Sequence, residues 1–129
     1  MSRIIQGLFL FCVFASGVAR ATPLQDCNAL ASELNKMTPM QVDKITLWKT
    51  TACLPQGRNV VLTYIYLLDV DKGQVSQTAL DSLRPAQLAS WCTNPQQRQL
   101  INLYDVQYQY SSRDSTFIGK LEYSAKLCK

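Results

Sequence analysis

Apolar positions along the chain change spacing several times, and each change marks an element. Leu24, Cys27, Leu30, Ala31, Leu34 and Met37 recur at helical spacing on one face, with Asn28, Ser32, Glu33 and Lys36 elsewhere. Pro23 suits the first turn of that helix and Asp26 its positive end; Pro39 sets its limit, because a residue before proline avoids helical backbone. The β-branched and aromatic run Ile45 to Ala52 predicts a strand, and Cys53 to Asn59, with Pro55 and Gly57, a turn. A second strand over Asn59 to Leu68 is apolar on both faces. It is either central in a covered sheet or has one face left for a partner.

Asp69 to Gly73 predicts a polar turn, and Ser76 to Leu103 a helical insert broken by prolines. Within the insert, Thr78 stands as a cap three residues before Asp81, a second helix spans Pro85 to Trp91, and Asn94-Pro95 starts a third. Leu100, Ile101 and Leu103 form the third helix's expected buried side. Val106, Tyr108 and Tyr110 then alternate with Gln107 and Gln109. After a turn at 111–115, a last strand from Phe117 to Leu127 has one apolar and one polar face. Cys128 falls on the polar parity, which calls for an outward disulfide or a bulge. The pattern predicts an α+β domain: a small four-stranded antiparallel sheet with an N-terminal helix and short helices on one face. That element order resembles the cystatin-like shape.

The first residues differ from the rest. Arg3, the apolar stretch Ile4 to Val18, and the small-x-small ending Ala19-Arg20-Ala21 have the three parts of a secretory signal peptide. The apolar stretch falls short of the ~20 residues a spanning helix needs. The expected organisation is a leader over 1–21, and a single exported domain over 22–129, periplasmic or secreted and without stable membrane insertion after cleavage. Loss of Arg3 and Arg20 lowers the net charge from +4 to about +2. The remaining basic residues are evenly spread, so charge gives no support for nucleic-acid binding.

Five cysteines occur, and Cys12 lies in the leader. The four that remain, Cys27, Cys53, Cys92 and Cys128, imply two disulfides in an exported domain. Four cysteines allow three connectivities. Cys27–Cys53 with Cys92–Cys128 is the expected one, because each pair ties a helix to a nearby strand end.

The residue inventory excludes more chemistry than it supports. The chain has no histidine, which removes Ser-His-Asp and Cys-His arrangements and the usual zinc sites. Paired cysteines leave no thiol nucleophile, and no glycine-rich phosphate loop is present. Asp69-Val70-Asp71-Lys72-Gly73 has the start of a calcium loop, but its twelfth position is Leu80 instead of glutamate. No metal, cofactor or catalytic residue is assigned. Two catalytic schemes remain: a carboxylate pair acting on glycans, with Asp105 beside Tyr104 and Tyr108 as the notable member, and a Ser124/Lys126 pair.

Tyrosine and tryptophan combine an apolar body with a polar handle and favour interfaces. Tyr64 and Tyr66 share a strand face, as do Tyr108 and Tyr110; if the two strands are neighbours these four form one patch. The expected function is therefore binding, as an inhibitor, immunity factor or accessory subunit acting on another exported protein. The alternatives are a carboxylate-dependent glycan hydrolase and a carrier of a small apolar ligand in a pocket of Leu30, Leu34, Leu62 and Leu121.

Overall fold

Helix α1 (Pro23–Leu34) begins where Thr22 and Gln25 cap each other. The Thr22 Oγ1 accepts from the Gln25 backbone N–H, and the Gln25 side chain accepts from that of Thr22. This computed structural model describes residues 22–129, so the expected leader over 1–21 lies outside the described residues. The predicted stripe faces inward, with Cys27 and Ala31 buried. A 3₁₀ turn (Asn35–Met37) follows, and Met37 falls beyond the helix and is exposed.

The sheet has five strands in the order β1 (Met40–Gln41), β2 (Thr46–Gln56), β3 (Asn59–Leu68), β4 (Asp105–Ser111) and β5 (Phe117–Tyr123). It is mixed, which corrects the expected four-stranded antiparallel sheet and departs from the all-antiparallel arrangement. The β2–β3 and β4–β5 pairs are antiparallel as hairpins require. β3 and β4 run parallel, from Val61 opposite Asp105 to Leu67 opposite Ser111. The cause is the helical insert, a crossover long enough to return the chain to the starting end of β3. Strand β1 has only two residues, too few to leave a periodic signal.

Strand β2 extends to Gln56, past the expected end at Ala52, and closes on Asn59 through a two-residue turn. Gly57 takes φ +63° there, a left-handed conformation that glycine adopts without steric cost. Pro55 is tolerated inside the strand because β1 pairs only with Leu47 and Trp48. In the alternation that sets Gln56 against Asn59, the Pro55 nitrogen faces the unpaired edge.

The crossover holds α2 (Gln77–Asp81), α3 (Arg84–Thr93) and α4 (Pro95–Leu103). Ser76, not Thr78, caps α2, its Oγ accepting from Ala79 N–H at 3.3 Å. Asn94 caps α4 as expected, accepting from Gln96 and Gln97. Leu103 is 69% exposed instead of buried, and Tyr104 is buried in its place. A step of two residues from Ile101 crosses most of a helix turn, whereas a step of three returns to the same face.

Strand β5 ends at Tyr123, short of the expected Leu127, and a 3₁₀ turn (Ala125–Leu127) follows. That turn replaces strand parity and carries Cys128 onto Cys92. The disulfides are Cys27–Cys53, joining α1 to β2, and Cys92–Cys128, joining α3 to the C-terminal turn. Their sequence separations of 26 and 36 residues correspond to about 3.5–4 kcal/mol each in the chain-entropy account.

All three longer helices serve one sheet face. Cys27 packs with Val60, Leu62 and Tyr104 at one end, and Trp91 and Ile101 pack with Val106, Tyr108, Leu121 and Tyr123 at the other. Side-chain amides plug both sheet edges. Asn35 donates to Thr51 O and accepts from Thr51 N, both at 2.7 Å. Gln77 does the same for the backbone of Lys120 on β5, at 2.9 Å each way. Such capping occupies backbone groups that otherwise recruit another strand.

Candidate functional site

The parallel pairing of β3 with β4 puts Tyr64 opposite Tyr108 and Tyr66 opposite Tyr110. Their ring centroids lie 5.3 and 5.4 Å apart, so the four rings form one continuous aromatic layer. Helix α3 fixes this layer through two side chains. Trp91 Nε1 donates to the Tyr108 hydroxyl at 2.8 Å. Gln87 Nε2 donates to the Tyr110 hydroxyl at 2.9 Å, while its Oε1 accepts from the Tyr123 hydroxyl at 2.6 Å. Burial pushes the Tyr108 and Tyr123 phenols up to about 12, and raises those of Tyr64, Tyr66 and Tyr110 as well. The layer is largely covered: Tyr108 and Tyr110 are buried, and Tyr64 and Tyr66 are half-buried.

Where the covering helices stop, a groove of about 380 Å³ opens over Tyr66, Tyr108 and Tyr110. One wall is the turn between β1 and β2, with Val42, Asp43, Ile45 and Thr46. The other comes from Val75, Ala79, Leu80, Leu83 and Gln87, on and beside α2 and α3. Val42, Ile45 and Leu83 remain 47%, 47% and 41% exposed, so large apolar groups stand on both sides of the opening. Asp43 is the one charged residue among those lining it. The backbone N–H of Ile45, donating to Asp43 Oδ1 at 2.9 Å, holds its carboxyl below the usual carboxylate value.

No family model matches the chain, and no curated protein matches it. Solved structures do resemble it. A candidate secreted protein from Pseudomonas aeruginosa aligns with TM-score 0.63 at 15% identity, over 86% of this chain and 100% of its own. The type 2 secretion system pilotin EpsS from Vibrio vulnificus aligns with TM-score 0.64 at 10% identity, over 83% of this chain and 92% of its own. The type II secretion system pilotin AspS from Vibrio cholerae aligns with TM-score 0.58 at 10% identity, over 88% and 99% respectively. At these identities the likeness establishes a shared fold.

The other residues singled out from sequence fall in less promising places. Asp69 and Asp71 both accept from Arg113, at 2.6 Å from Nε and Nη1, so the expected polar turn is an ion-paired surface turn. Among the described residues no group of three or more acidic, cysteine or histidine side chains is placed to hold a metal. Asp105 lines a depression of about 310 Å³ with Glu122. Glu122 is engaged there, accepting from Gln107 Nε2 at 3.0 Å and lying 3.5 Å from Lys120 Nζ. Ser124 and Lys126 lie on the C-terminal turn instead of a strand face. Leu62 and Leu121 are fully buried in separate clusters, so the four leucines proposed for a ligand pocket do not line a common cavity. Sequence reasoning missed the groove walls. The available signal was Val42-Asp43-Lys44-Ile45, two apolar residues bracketing charges just before a strand.

Proposed function

We propose that the chain is a non-catalytic exported accessory protein that docks on another exported protein through the groove between the 42–46 turn and α2–α3. The observation carrying this reading is the exposed apolar rim of Val42, Ile45 and Leu83 above a locked tyrosine floor. Large apolar groups in water at the mouth of a preformed concavity have the character of anchor sites in protein recognition. The fold shared with secretion-system pilotins and a candidate secreted protein supports an exported accessory role. The two disulfides suit an oxidising compartment, and the leader-like residues 1–21 suit delivery to the periplasm or beyond. Tyr66, Tyr108 and Tyr110 then contribute to the interface as its floor, while Tyr64 packs beside Tyr108 and supports them.

The test is capture of a partner from the envelope or secreted fraction of the producing cell by the wild-type protein, followed by affinity measurement. Ile45→Asp and Leu83→Asp should each weaken the complex about tenfold or more, the equivalent of ~1.4 kcal/mol, without lowering thermal stability. Leu103→Asp, at an exposed apolar site on α4 outside the groove, should leave it unchanged. Equal weakening by all three, or by none, rules out the groove as the docking site.

A further inference from the structure

The groove is mainly apolar and its one charged lining residue, Asp43, has no ion-pair partner among the described residues. The other acidic groups near these segments are occupied. Asp81 pairs with Arg84 at 3.6 Å, and Asp69 and Asp71 pair with Arg113. The Ile45 N–H donates to Asp43 Oδ1 at 2.9 Å and Thr46 also stabilises the carboxylate, neither of them supplying a charge. Lys44 is exposed and does not line the groove. We infer that the groove selects a segment of an exported partner in which apolar anchors stand next to a lysine or arginine, the cation pairing with Asp43 at the rim. This rests on the docking reading above and adds the chemistry of the partner.

Charge complementarity favours this occupant over an uncharged or acidic one. The chain is cationic overall, at +4 for the full sequence and about +2 without the expected leader, so its long-range field weakly attracts acidic segments. A preference for cations at the groove would therefore oppose the background and identify the local carboxylate as its source. The discrimination is modest, about two- to fivefold, as for an exposed ion pair.

The experiment uses the exported, oxidised protein and displayed libraries of short random peptides, each selection run in parallel on Ile45→Asn, which removes an apolar anchor without adding charge, as the groove-blocked control. Peptides enriched on wild type and not on the control should carry paired apolar residues with lysine plus arginine at least twice as frequent as aspartate plus glutamate beside them. For one such peptide, replacing its cation by glutamate should weaken binding about two- to fivefold. That difference should vanish with Asp43→Asn, whose Oδ1 still accepts from Ile45 N–H, and reverse with Asp43→Lys. Groove-dependent peptides without charge bias, or a bias unchanged by Asp43→Asn, overturn the inference and leave the docking reading standing. No enrichment over the control overturns both. Self-association of the protein that Ile45→Asn abolishes assigns the groove to a second copy of the chain, and also overturns the inference.

Discussion

Gln87 is the single residue on which the tyrosine floor most depends. Its amide bridges Tyr110, which is 3% exposed, and Tyr123, which is 2% exposed, giving to one hydroxyl and taking from the other. Gln87→Leu keeps most of the volume and removes both partners. A buried hydroxyl left without a partner costs ~1–3 kcal/mol. Groove water can reach part of this site, so the lower half of that range applies, ~2–4 kcal/mol for the pair. At ~4 °C per kcal/mol for a domain of this size, Tm should fall by ~8–16 °C. The assay is thermal and urea unfolding of the oxidised protein followed by far-ultraviolet circular dichroism. The decisive comparison adds Tyr110→Phe and Tyr123→Phe to Gln87→Leu. Removing all three polar groups leaves nothing unsatisfied, so the triple variant should regain at least half of the loss despite carrying more substitutions. A triple variant no more stable than Gln87→Leu would show that the cost lies in packing and refute the bridging role.

Two further predictions address the same core. All six tyrosines have phenols raised by burial above the unfolded value of about 10, Tyr108 and Tyr123 to about 12. Between those values the native state holds more protons than the unfolded state, so this stabilisation is complete below about pH 10 and is lost as pH rises toward 12. Phenolate absorbance should appear together with loss of the dichroism signal; smooth ionisation centred near pH 10 with the fold intact would contradict it. Gly119→Ala places a methyl against the Gln77 side-chain oxygen and 3.0 Å from Leu80 Cδ1. Gln77 is pinned by both bonds to Lys120, so the substitution should cost ~1–3 kcal/mol and speed hydrogen exchange at the Lys120 amide. Unchanged stability and exchange would mean that Gln77 moves freely.

The features legible in the sequence are those that a few neighbouring residues determine. Asn94-Pro95 marks a helix start because the cap and the proline act within one turn. The stripe from Leu24 to Leu34 and the β2–β3 hairpin are local for the same reason. The disulfide pairing is the expected one, but Cys53 lies inside β2 and Cys128 on the turn after β5 instead of at strand ends. The parallel β3–β4 pair was not legible, because strand direction depends on the route of the crossover and not on either strand. Arg113 reaches Asp69 and Asp71 across 44 and 42 residues, so the polar turn was legible but its ion-pair partner was not. The groove was hidden in the same way. Its floor was visible as four tyrosines, but its walls come from the 42–46 turn and from α2–α3, far apart in sequence.

The construction of the groove bears directly on the kind of work it can do. Its floor consists of tyrosines with few rotatable bonds, two of them hydrogen-bonded to α3. Its outer wall is tied by backbone bonds, Val42 N–H to Thr46 O at 2.9 Å and Asp69 N–H to Ile45 O at 2.7 Å, with Gln41 donating to Asp43 O at 2.7 Å. Neither side needs to reorganise before receiving apolar anchors, which keeps the entropic cost of docking low. An apolar surface fixed in this way offers shape and area but supplies little discrimination among apolar segments. Discrimination has to come from a polar group at its margin, and Asp43 is the lining residue that carries charge. On the proposed docking reading, the apolar rim and tyrosine floor supply affinity and the rim carboxylate adds a modest preference among partners.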